Sequence, residues 1–304
     1  MKQIAFIVHG KMAHRDKQIT SIKETFADSF DCRFMITEYT NHAVQLSQSA
    51  VSDGADYIIS VGGDGSLNEV ANGVMKNPER AKQIQVGLLP HGTGNDFAKT
   101  VRVSKSISDL KGFIESGSFK PIDLGLADFT DGSGVKTQRY FINITDVGIG
   151  GVIAKKLAGS SKILGPTITY QKAILSTLFT YQNVPVKVTA DSFSYTGNTM
   201  AFIMANGKYF GAGLGIAPDA NVADGLCSLI TIGDISILDY LRNLGRIKKC
   251  LKLEHPKVQY ASAKQILVES TEKELPIDMD GEFIGYTPLK IRVIPGAVNF
   301  LCPL

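Results

Sequence analysis

Glycines and a single aspartate stand between a strand-like run and a helix-like run in residues 61–73, Val-Gly-Gly-Asp-Gly-Ser-Leu-Asn-Glu-Val-Ala-Asn-Gly. Glycines let a backbone approach a phosphate closely, and a helix N-terminus offers unpaired N–H groups and the positive end of its dipole. A carboxylate such as Asp64 would repel a phosphate there unless a cation stood between them. The stretch therefore predicts a nucleotide bound with Mg²⁺, an ion held mainly by water, phosphate and few protein ligands. The alternative is a glycine-rich turn that carries a surface aspartate.

The residues on either side of this stretch predict the elements that position it. Residues 57–61 form a short β-branched run, which is typical of a buried strand. Ser66 is followed three residues later by Glu69, the spacing of a capping box, so we expect the helix to start at Ser66. Apolar residues then recur at the spacing of one helix face: Leu67, Val70, Ala71 and Val74.

A second stretch has the same organisation. Residues 85–89 form another strand-like run, and residues 90–99 follow it with the sequence Pro-His-Gly-Thr-Gly-Asn-Asp-Phe-Ala-Lys. Either Asn95 or Asp96 is available to cap the helix after it. Two glycine loops that each follow a strand predict one shared site at a single edge of a parallel sheet.

GGDGSxNEVxNG followed by PxGTGNDFA resembles the diacylglycerol kinase catalytic family, which includes bacterial lipid kinases and sphingosine kinases. NAD kinases and phosphofructokinases are more distant relatives that share the GGDG element. The resemblance implies an ATP-dependent, Mg²⁺-requiring kinase that phosphorylates a hydroxyl of a diacylglycerol-like lipid. The residues that we expect at the nucleotide are Lys11, Thr40, Gly62, Gly63, Asp64, Gly65, Ser66, Asn68, Glu69, Thr93, Gly94 and Asn95.

Three carboxylates lie within five residues in the run Asp278-Met279-Asp280-Gly281-Glu282. Side chains two positions apart on a strand point to one face, and crowded carboxylates raise one another's pKa toward that of a base active near neutral pH. The alternative is an exposed acidic turn. Because the DGE triplet matches the family's catalytic motif, the resemblance implies that Glu282 is the base, with Asp280 as an alternative or a partner.

A second acidic segment, residues 219–226, has aspartates spaced along a turn, a pattern that suits a hard cation but also fits a plain Asx turn. The resemblance implies a structural Mg²⁺ site there. Its ligands would be the Asp224 carboxylate and the main-chain oxygens of Asn221 and Leu226. Ser228 stands where relatives often carry another acid, and His9-Gly10 stands where they usually have Asn-Pro. These departures leave a reduced activity open.

The composition is that of an ordinary globular protein, with 304 residues, 44% hydrophobic residues and a net charge of +3. That charge is too small to argue for nucleic acid, and no basic block is interleaved with aromatic residues. The four cysteines lack zinc-type spacing, and the first apolar run is too short for a signal peptide. We therefore expect a cytoplasmic protein with reduced thiols, with a peripheral position at the inner membrane face left open.

The order of elements predicts two domains. Residues 1–122 alternate strand-like and helix-like runs, which favours an α/β nucleotide-binding domain with a mostly parallel sheet, similar to NAD kinase and diacylglycerol kinase. Residues 123–295 contain mainly strand-like runs, which favours a β-rich, antiparallel domain for the lipid acceptor. By the resemblance, the tail of residues 296–304 returns to the first domain. We expect strands at residues 139–145, 184–190, 199–205, 226–232, 265–269 and 289–294, and helices at residues 167–181 and 235–253.

Residues 238–252 form a basic, amphipathic segment whose apolar stripe we assign to Leu238, Leu241, Leu244, Ile247 and Leu251. Such a stripe belongs either to the core or to a transient contact with an anionic membrane surface. A homodimer is also left open. Two other functions remain as alternatives: a kinase of a soluble acceptor similar to NAD kinase, and a non-catalytic regulator that binds a nucleotide or a lipid.

Overall fold

The structure is a computed structural model that describes residues 1–159 and 166–304, without the side chains of residues 166–171 and 175. The chain forms two compact units. The first contains Met1–Leu124, Val222–Asp224 and Ile294–Leu304, and the second contains Gly125–Asn221 and Gly225–Val293. The boundaries predicted from the sequence were 122/123 and 295/296, and the short Val222–Asp224 segment of the first unit was not anticipated.

The first unit alternates strands and helices along its N-terminal part. The strands are β1 (Gln3–Val8), β2 (Asp31–Ile36), β3 (Tyr57–Gly62) and β4 (Gln85–Pro90), followed by the start of β5 (Phe119–Asp131). The helices are α1 (Arg15–Phe26), α2 (His42–Ser52), α3 (Asp64–Val74), α4 (Pro78–Ala81), α5 (Asp96–Val101) and α6 (Ile107–Ser116).

Strands β1 to β4 pair in parallel. β1 lies between β2 and β3, and β4 lies on the other side of β3. The end of β16 (Glu282–Leu301) adds a further parallel neighbour to β4 through Asn299 and Phe300. A hydrophobic cluster with Phe6, Ile59 and Leu89 packs these strands against α1 and α6. The carboxyl ends of all four strands therefore lie at one edge of the sheet, where the loops that follow them meet.

The second unit is built mainly from strands. They are the rest of β5, β6 (Lys136–Phe141), β7 (Ile144–Gly148), β8 (Val184–Ala190), β9 (Phe193–Ala205), β10 (Tyr209–Phe210), β11 (Leu214–Gly215), β12 (Cys227–Gly233), β13 (Val258–Ala263), β14 (Gln265–Ser270), β15 (Pro276–Met279) and the first part of β16. Its helices are α7 (Ile149–Ala158), α8 (Pro166–Thr180) and α9 (Ile237–Lys248).

The strand pairs described in the second unit are antiparallel. Side chains alternate between two cores. Along β9, Phe202 and Met204 join one cluster, whereas Ala201 and Ile203 join the other. This period of two is the signature of strands that are covered on both faces. Counting both units, antiparallel strand pairs outnumber parallel strand pairs in the described part of the chain.

Several predicted elements differ from those in the structure. The single strand predicted at residues 139–145 is divided into β6 and β7. Helix α7 was missed, as were strands β5, β10, β11, β13 and β15. The break at Ile142 and Asn143 has a specific cause, because the N–H groups of these residues donate to a carboxylate rather than to a neighbouring strand. No helix of the described residues is both long enough and apolar enough to span a bilayer.

Candidate active site

The two glycine loops of the first unit are in direct contact. A Cβ atom at Gly63 would lie 3.0 Å from the Cα of Gly92, and one at Gly92 would lie 2.5 Å from the Cα of Gly63. The N–H of His91 also donates to the carbonyl of Gly62 at 2.7 Å. Residues larger than glycine would force these backbones apart, so glycine at 63 and 92 is required by the contact between the loops.

Helix α3 starts earlier than predicted and has an uncapped N-terminus. It begins at Asp64 after the N-cap residue Gly63, which supplies no side-chain cap. The first N–H groups of a helix have no partner within the helix, and their dipoles attract an anion. The capping box predicted for Ser66 and Glu69 is therefore wrong, since Ser66 already lies inside the helix.

Glu69 caps a different helix. Its Oε1 accepts a hydrogen bond from the N–H of Asn41 at 2.9 Å, and its Oε2 accepts one from the N–H of Ala43 at 3.0 Å. Both donors lie at the start of α2, whose own N-cap residue, Asn41, provides no side-chain cap. Because both oxygens of this buried carboxylate serve α2, the structure favours a positioning role for Glu69 over the nucleotide contact predicted for it. Asn68 is also fully buried.

Asp64 caps the start of helix α5 from another segment of the chain, as Glu69 caps the start of α2. Its carboxylate accepts hydrogen bonds from the N–H groups of Asp96 at 3.1 Å and Phe97 at 3.0 Å, at the start of a helix that also lacks a side-chain cap. Burial raises the pKa of Asp64, and these two N–H donors offset part of that shift. The aspartate thus fastens the second glycine loop to the first.

Asn95 holds the second loop closed. Its side-chain oxygen accepts from the N–H of Gly92 at 2.8 Å, and its side-chain nitrogen donates to the carbonyl of Gly92 at 2.7 Å. Asn95 occupies the N-cap position of α5, but its side chain makes these two hydrogen bonds with Gly92 and does not cap the helix. Thr93 lies exposed at the tip of the loop.

Two other predicted nucleotide residues lie at the same sheet edge. Lys11 and Thr40 are exposed in the turns that follow β1 and β2. The entry of the first turn is tightly packed, since a Cβ at Gly10 would lie 1.9 Å from the carbonyl oxygen of Thr37. This contact explains why glycine follows His9 at the end of β1.

The residues present fit a nucleotide with its Mg²⁺. The uncapped start of α3 and the glycine backbones suit phosphate oxygens, and the oxygens of Asp64 each retain a lone pair that can accept from a metal-bound water. A cage made of side chains alone is not present, because no group of three or more His, Cys, Asp or Glu side chains in the described residues is arranged to hold a metal. The donor set therefore suits an ion held largely by phosphate and water.

The acidic triplet of the second unit forms a tight hairpin. Asp280 and Gly281 both have positive φ, 50° and 86°, and join β15 to β16 through the pair Met279 and Glu282. A two-residue loop with positive φ at both positions, filled by Asp-Gly, is the type I′ turn that matches strand twist. The hairpin fixes Glu282 at the first position of β16.

Asp280 and Glu282 have different surroundings. The buried Asp280 carboxylate accepts hydrogen bonds from three successive backbone N–H groups, those of Ile142, Asn143 and Ile144, at 2.9, 3.0 and 2.9 Å. Such bonds favour the ionised form and occupy the oxygens. The structure thus favours Asp280 as a partner that positions the hairpin, and leaves the role of base to Glu282.

Glu282 is partly exposed and has a cationic neighbour. Its Oε2 lies 2.8 Å from Nη2 of Arg139, and 35% of the Glu282 side chain remains accessible. Arg139 lies on β6, 143 positions away along the chain. Sequence reasoning missed Arg139, since no spacing or motif connects it to the triplet. A guanidinium at hydrogen-bond distance orients a carboxylate, and orientation is required of a group that accepts a proton in a reaction.

A buried pair of carboxyl groups lies beside the hairpin. Asp146 of β7 stands directly opposite Asp278 of β15, and the Oδ1 atom of each is buried without a hydrogen-bond partner in the described residues. Burial raises the pKa of Asp146 to about 7, although the N–H of Gly151 offsets part of the shift. The pKa of Asp278 is also raised, first by burial and then by the negative charge of Asp146. Asp146 was not predicted as part of any site.

The predicted structural metal ligands Asn221, Asp224 and Leu226 lie in the segment between β11 and β12. Within that segment the carbonyl of Val222 accepts the N–H of Asp123 at 2.6 Å. The predicted set consists of one carboxylate and two main-chain oxygens, so it is not a cluster of side chains. The metal site therefore stays a prediction.

Comparisons with known proteins agree with this arrangement. Residues 3–127 match the diacylglycerol kinase catalytic domain, and residues 145–302 match the YegS C-terminal domain, described as similar to the β-sandwich of NAD kinase. A diacylglycerol kinase of Staphylococcus carnosus is 28% identical over 263 residues, which cover 85% of this chain and 80% of that protein. A protein of Shewanella frigidimarina that carries the name "Probable lipid kinase YegS-like" is 27% identical over 84% of this chain and 79% of its own length.

A solved structure has the same fold. The crystal structure of a proposed diacylglycerol kinase from Bacillus anthracis strain Sterne aligns over 99% of this chain and 97% of its own, with a TM-score of 0.77 and 26% identity. Together the two matched domains account for nearly the whole chain. The chain belongs to the diacylglycerol kinase family of lipid kinases.

Proposed function

We propose that this protein transfers the γ-phosphoryl group of ATP to a hydroxyl of a diacylglycerol-like lipid, in a reaction that requires Mg²⁺. The observation that carries the proposal is the uncapped N-terminus of α3 at the contact between two glycine loops, at the carboxyl edge of parallel strands. A triphosphate is the ligand chemistry that this arrangement suits.

The nucleotide would be held mainly by the backbone of the two loops. The first-turn N–H groups of α3 would donate to phosphate oxygens, with Thr93 and Gly94 on the second loop beside them. Lys11 would act as a point charge over a phosphate, and Thr40 would border the nucleotide. Bound Mg²⁺ would neutralise phosphate charge, and the role of Asp64 would be to accept from a water of that ion.

The second unit would supply the proton acceptor. In the transfer, a bond forms between the lipid hydroxyl oxygen and the γ-phosphorus, and the bond from that phosphorus to the β,γ-bridging oxygen breaks, so that ADP leaves. The proton of the hydroxyl passes to the Glu282 carboxylate. Because the transition state of phosphoryl transfer is loose, most of the catalysis comes from positioning and charge neutralisation. Arg139 and Asp280 would act by holding Glu282 in place.

An acceptor panel tests the proposal. Purified protein is incubated with radiolabelled ATP and, separately, detergent-dispersed diacylglycerol, phosphatidylglycerol or NAD, each with Mg²⁺ and with a chelator. We expect Mg²⁺-dependent label in the diacylglycerol product, identified by mass spectrometry. Label on NAD would instead support a kinase of a soluble acceptor. Binding of ATP without transfer to any lipid would indicate a regulator and would overturn the enzymatic proposal.

The segment 221–226 is the candidate for a second, structural Mg²⁺. Its Asp224 carboxylate and the carbonyls of Asn221 and Leu226 are oxygen ligands of the type that this ion prefers. An ion that binds only the folded state stabilises it by mass action. Mg²⁺ should therefore raise the unfolding midpoint of the protein without nucleotide, and the increase should be lost in Asp224→Asn. An equal increase in that variant would rule out Asp224 as a ligand.

A further inference from the structure

Helix α9 of the second unit has an apolar face on each side. Ile237, Tyr240 and Ile247 pack on the core that contains Ile230 and Ile232. On the opposite side, Leu238 and Leu241 are 56% and 46% exposed. The stripe predicted from the sequence therefore does not form one face: Ile247 is buried, whereas Leu238, Leu241 and Leu251 are exposed.

The exposed leucines share their face with cations. Positions three, four and seven apart lie on one side of a helix, so Leu238 and Leu241 lie beside Arg242, Gly245 and Lys249. Lys248 borders the same side. We call this surface, formed by Leu238, Leu241, Arg242, Gly245, Lys248 and Lys249, the α9 outer face. A Cβ atom added at Gly245 would meet no atom within 4 Å outside the helix itself, so no described part of the chain packs over its centre.

The region around helix α9 is basic, although four of its six cations pair with carboxylates, two of which, Asp219 and Asp234, lie outside residues 237–257. Residues 237–257 contain six Lys or Arg and two Asp or Glu, a net charge of +4, against +3 for the full chain. Arg242 pairs with Asp239 on the flank of the helix at 3.1 Å. No carboxylate of the described residues forms an ion pair with Lys248 or Lys249. Both ammonium groups are therefore available to an external anion.

Hydrogen bonds cap both ends of helix α9, so its outer face has a defined conformation. Ser236 caps the N-terminus by accepting the N–H of Asp239 at 3.2 Å. At the C-terminus, the N–H of Cys250 donates to Ile247 and that of Leu251 donates to Arg246, each at 3.0 Å. These two bonds, with Cys250 at φ 53°, form a Schellman motif.

We infer that the α9 outer face docks on the surface of a bilayer that contains anionic lipid, with the leucines entering the headgroup region and the lysines meeting lipid phosphates. Amphipathic helices with leucine beside Lys and Arg bind membranes in this way. The inference deepens the proposed function and rests on it, because a diacylglycerol-like acceptor resides in a bilayer that the enzyme must reach.

The charge of the face argues against two other occupants. A two-fold dimer through this face would bring Lys248 and Lys249 of both copies into one interface, to which the face itself contributes no carboxylate. The outer face also carries no aromatic side chain for stacking on bases, which single-stranded nucleic acid would use. An anionic bilayer satisfies the leucines and the lysines together.

Sedimentation with vesicles tests the docking without catalysis. The full chain is spun with vesicles of phosphatidylcholine alone, or of phosphatidylcholine mixed with phosphatidylglycerol. Leu238→Gln combined with Leu241→Gln should lower the partition coefficient on mixed vesicles roughly tenfold or more, because two partly buried leucines are lost from the headgroup region. Lys248→Gln combined with Lys249→Gln should lower it by about tenfold at low salt and less at high salt.

A matched control uses Val135, an apolar side chain that is 58% exposed in the turn between β5 and β6 of the same unit. Val135→Gln should bind mixed vesicles as the unchanged protein does. Circular dichroism and urea unfolding verify that each variant is folded, and the lysine pair tests the face even if the leucine pair is destabilised. Unchanged vesicle binding by both double variants would overturn the inference.

Activity measurements separate this inference from the proposed function. Both double variants should phosphorylate detergent-dispersed diacylglycerol at the rate of the unchanged protein, and vesicle-borne diacylglycerol more slowly. Absence of any kinase activity in the unchanged protein would count against the proposed function alone, since sedimentation needs no turnover. If light scattering shows a dimer that the leucine variant dissociates, the face is an interface between copies and the membrane inference falls.

Discussion

The glycine loops of the first unit and the acidic hairpin of the second unit use aspartate in the same way. Asp64 follows two glycines and accepts two backbone N–H groups that lie 32 and 33 residues away in the sequence. Asp280 precedes a glycine and accepts three, from 136 to 138 residues away. In both regions the aspartate of the motif fastens distant segments of backbone together.

The regions differ in what remains for chemistry. In the first unit Glu69 is also committed to backbone N–H groups, so the loop edge is formed by glycines, N–H groups and the exposed Lys11. In the second unit Glu282 stays partly exposed beside Arg139. Under the proposed function, the first region would hold an anion through its backbone, whereas the second would supply a side chain that takes a proton.

The largest effect is expected at Glu282. General bases typically contribute about 10²–10⁴-fold to a rate, so Glu282→Gln should lower kcat by that factor while nucleotide affinity stays unchanged. Kinase assays with detergent-dispersed diacylglycerol, together with calorimetric titration of ATP, measure the two quantities. Glu274→Gln, a change at an exposed acid of the same unit, is the control and should leave kcat unaltered. A normal kcat in Glu282→Gln would show that the second unit does not supply the proton acceptor through this side chain.

The next effect concerns stability at the two aspartates. An amide oxygen cannot replace a carboxylate that accepts three N–H groups, and hydrogen bonds to charged acceptors are the strong ones. Asp280→Asn should lower the free energy of unfolding by about 3 kcal/mol, and Asp64→Asn by about 2 kcal/mol, since it loses fewer such bonds. Urea unfolding measures both.

The exposed Asp28, at the end of α1, serves as the control. Asp28→Asn should change the free energy of unfolding by less than about 0.5 kcal/mol. Equal losses in all three variants would show that the backbone contacts of Asp64 and Asp280 contribute nothing specific to stability.

The local signals of the sequence sufficed to locate the two loops. A β-branched run predicted β3 and a second strand-like run predicted β4, and parallel strands place their loops at a common edge. The contact between Gly63 and Gly92 follows from that placement. The hairpin at Asp280 and Gly281 is likewise local, because its dipeptide is itself the signal for a type I′ turn.

Contacts between distant segments could not be predicted. The spacing of Ser66 and Glu69 matches a capping box, but the N–H groups that Glu69 accepts lie 26 and 28 residues earlier. Arg139 and Glu282 are separated by 143 residues, and nothing in either segment points to the other. Such pairs depend on which strands become neighbours, which periodicity alone does not determine.

The prediction that the apolar residues of α9 form one stripe was wrong for a geometric reason. A step of three residues turns back by about 60° on a helix of 3.6 residues per turn, so a repeat of every third residue spirals around the axis. Leu238 and Leu241 start on the outer face, and Ile247 reaches the core face. Only a mixture of steps of three and four keeps a stripe on one side.

A smaller effect is expected at Glu69. Replacement by Gln removes the charge from the cap of α2 and leaves one amide oxygen for two N–H groups. The free energy of unfolding should fall by about 1.5 kcal/mol, within the range known for loss of a helix cap. Glu115→Gln, which alters an exposed carboxylate near Lys111, should change it by less than about 0.5 kcal/mol. A fall no greater than in the control would mean that α2 does not depend on Glu69.

The last effect, the smallest when counted per pH unit, is a pH dependence of stability that comes from the buried Asp146 and Asp278. Burial raises the pKa of Asp146 from 3.8 to about 7, so between these values the folded state holds a proton that the unfolded state has released. The contribution to stability is complete below pH 4 and is lost as the pH rises toward 7, by at most about 1.4 kcal/mol per pH unit.

Asp146→Asn removes this titration and also the negative charge that raises the pKa of Asp278. Urea unfolding at intervals from pH 5 to 8 should therefore show a shallower fall of stability in the variant than in the unchanged protein. His91, whose pKa burial lowers, is the same residue in both proteins, so its contribution cancels in the difference. Identical slopes would mean that Asp146 is already ionised in the folded state over this interval, contrary to the raised pKa that its burial implies.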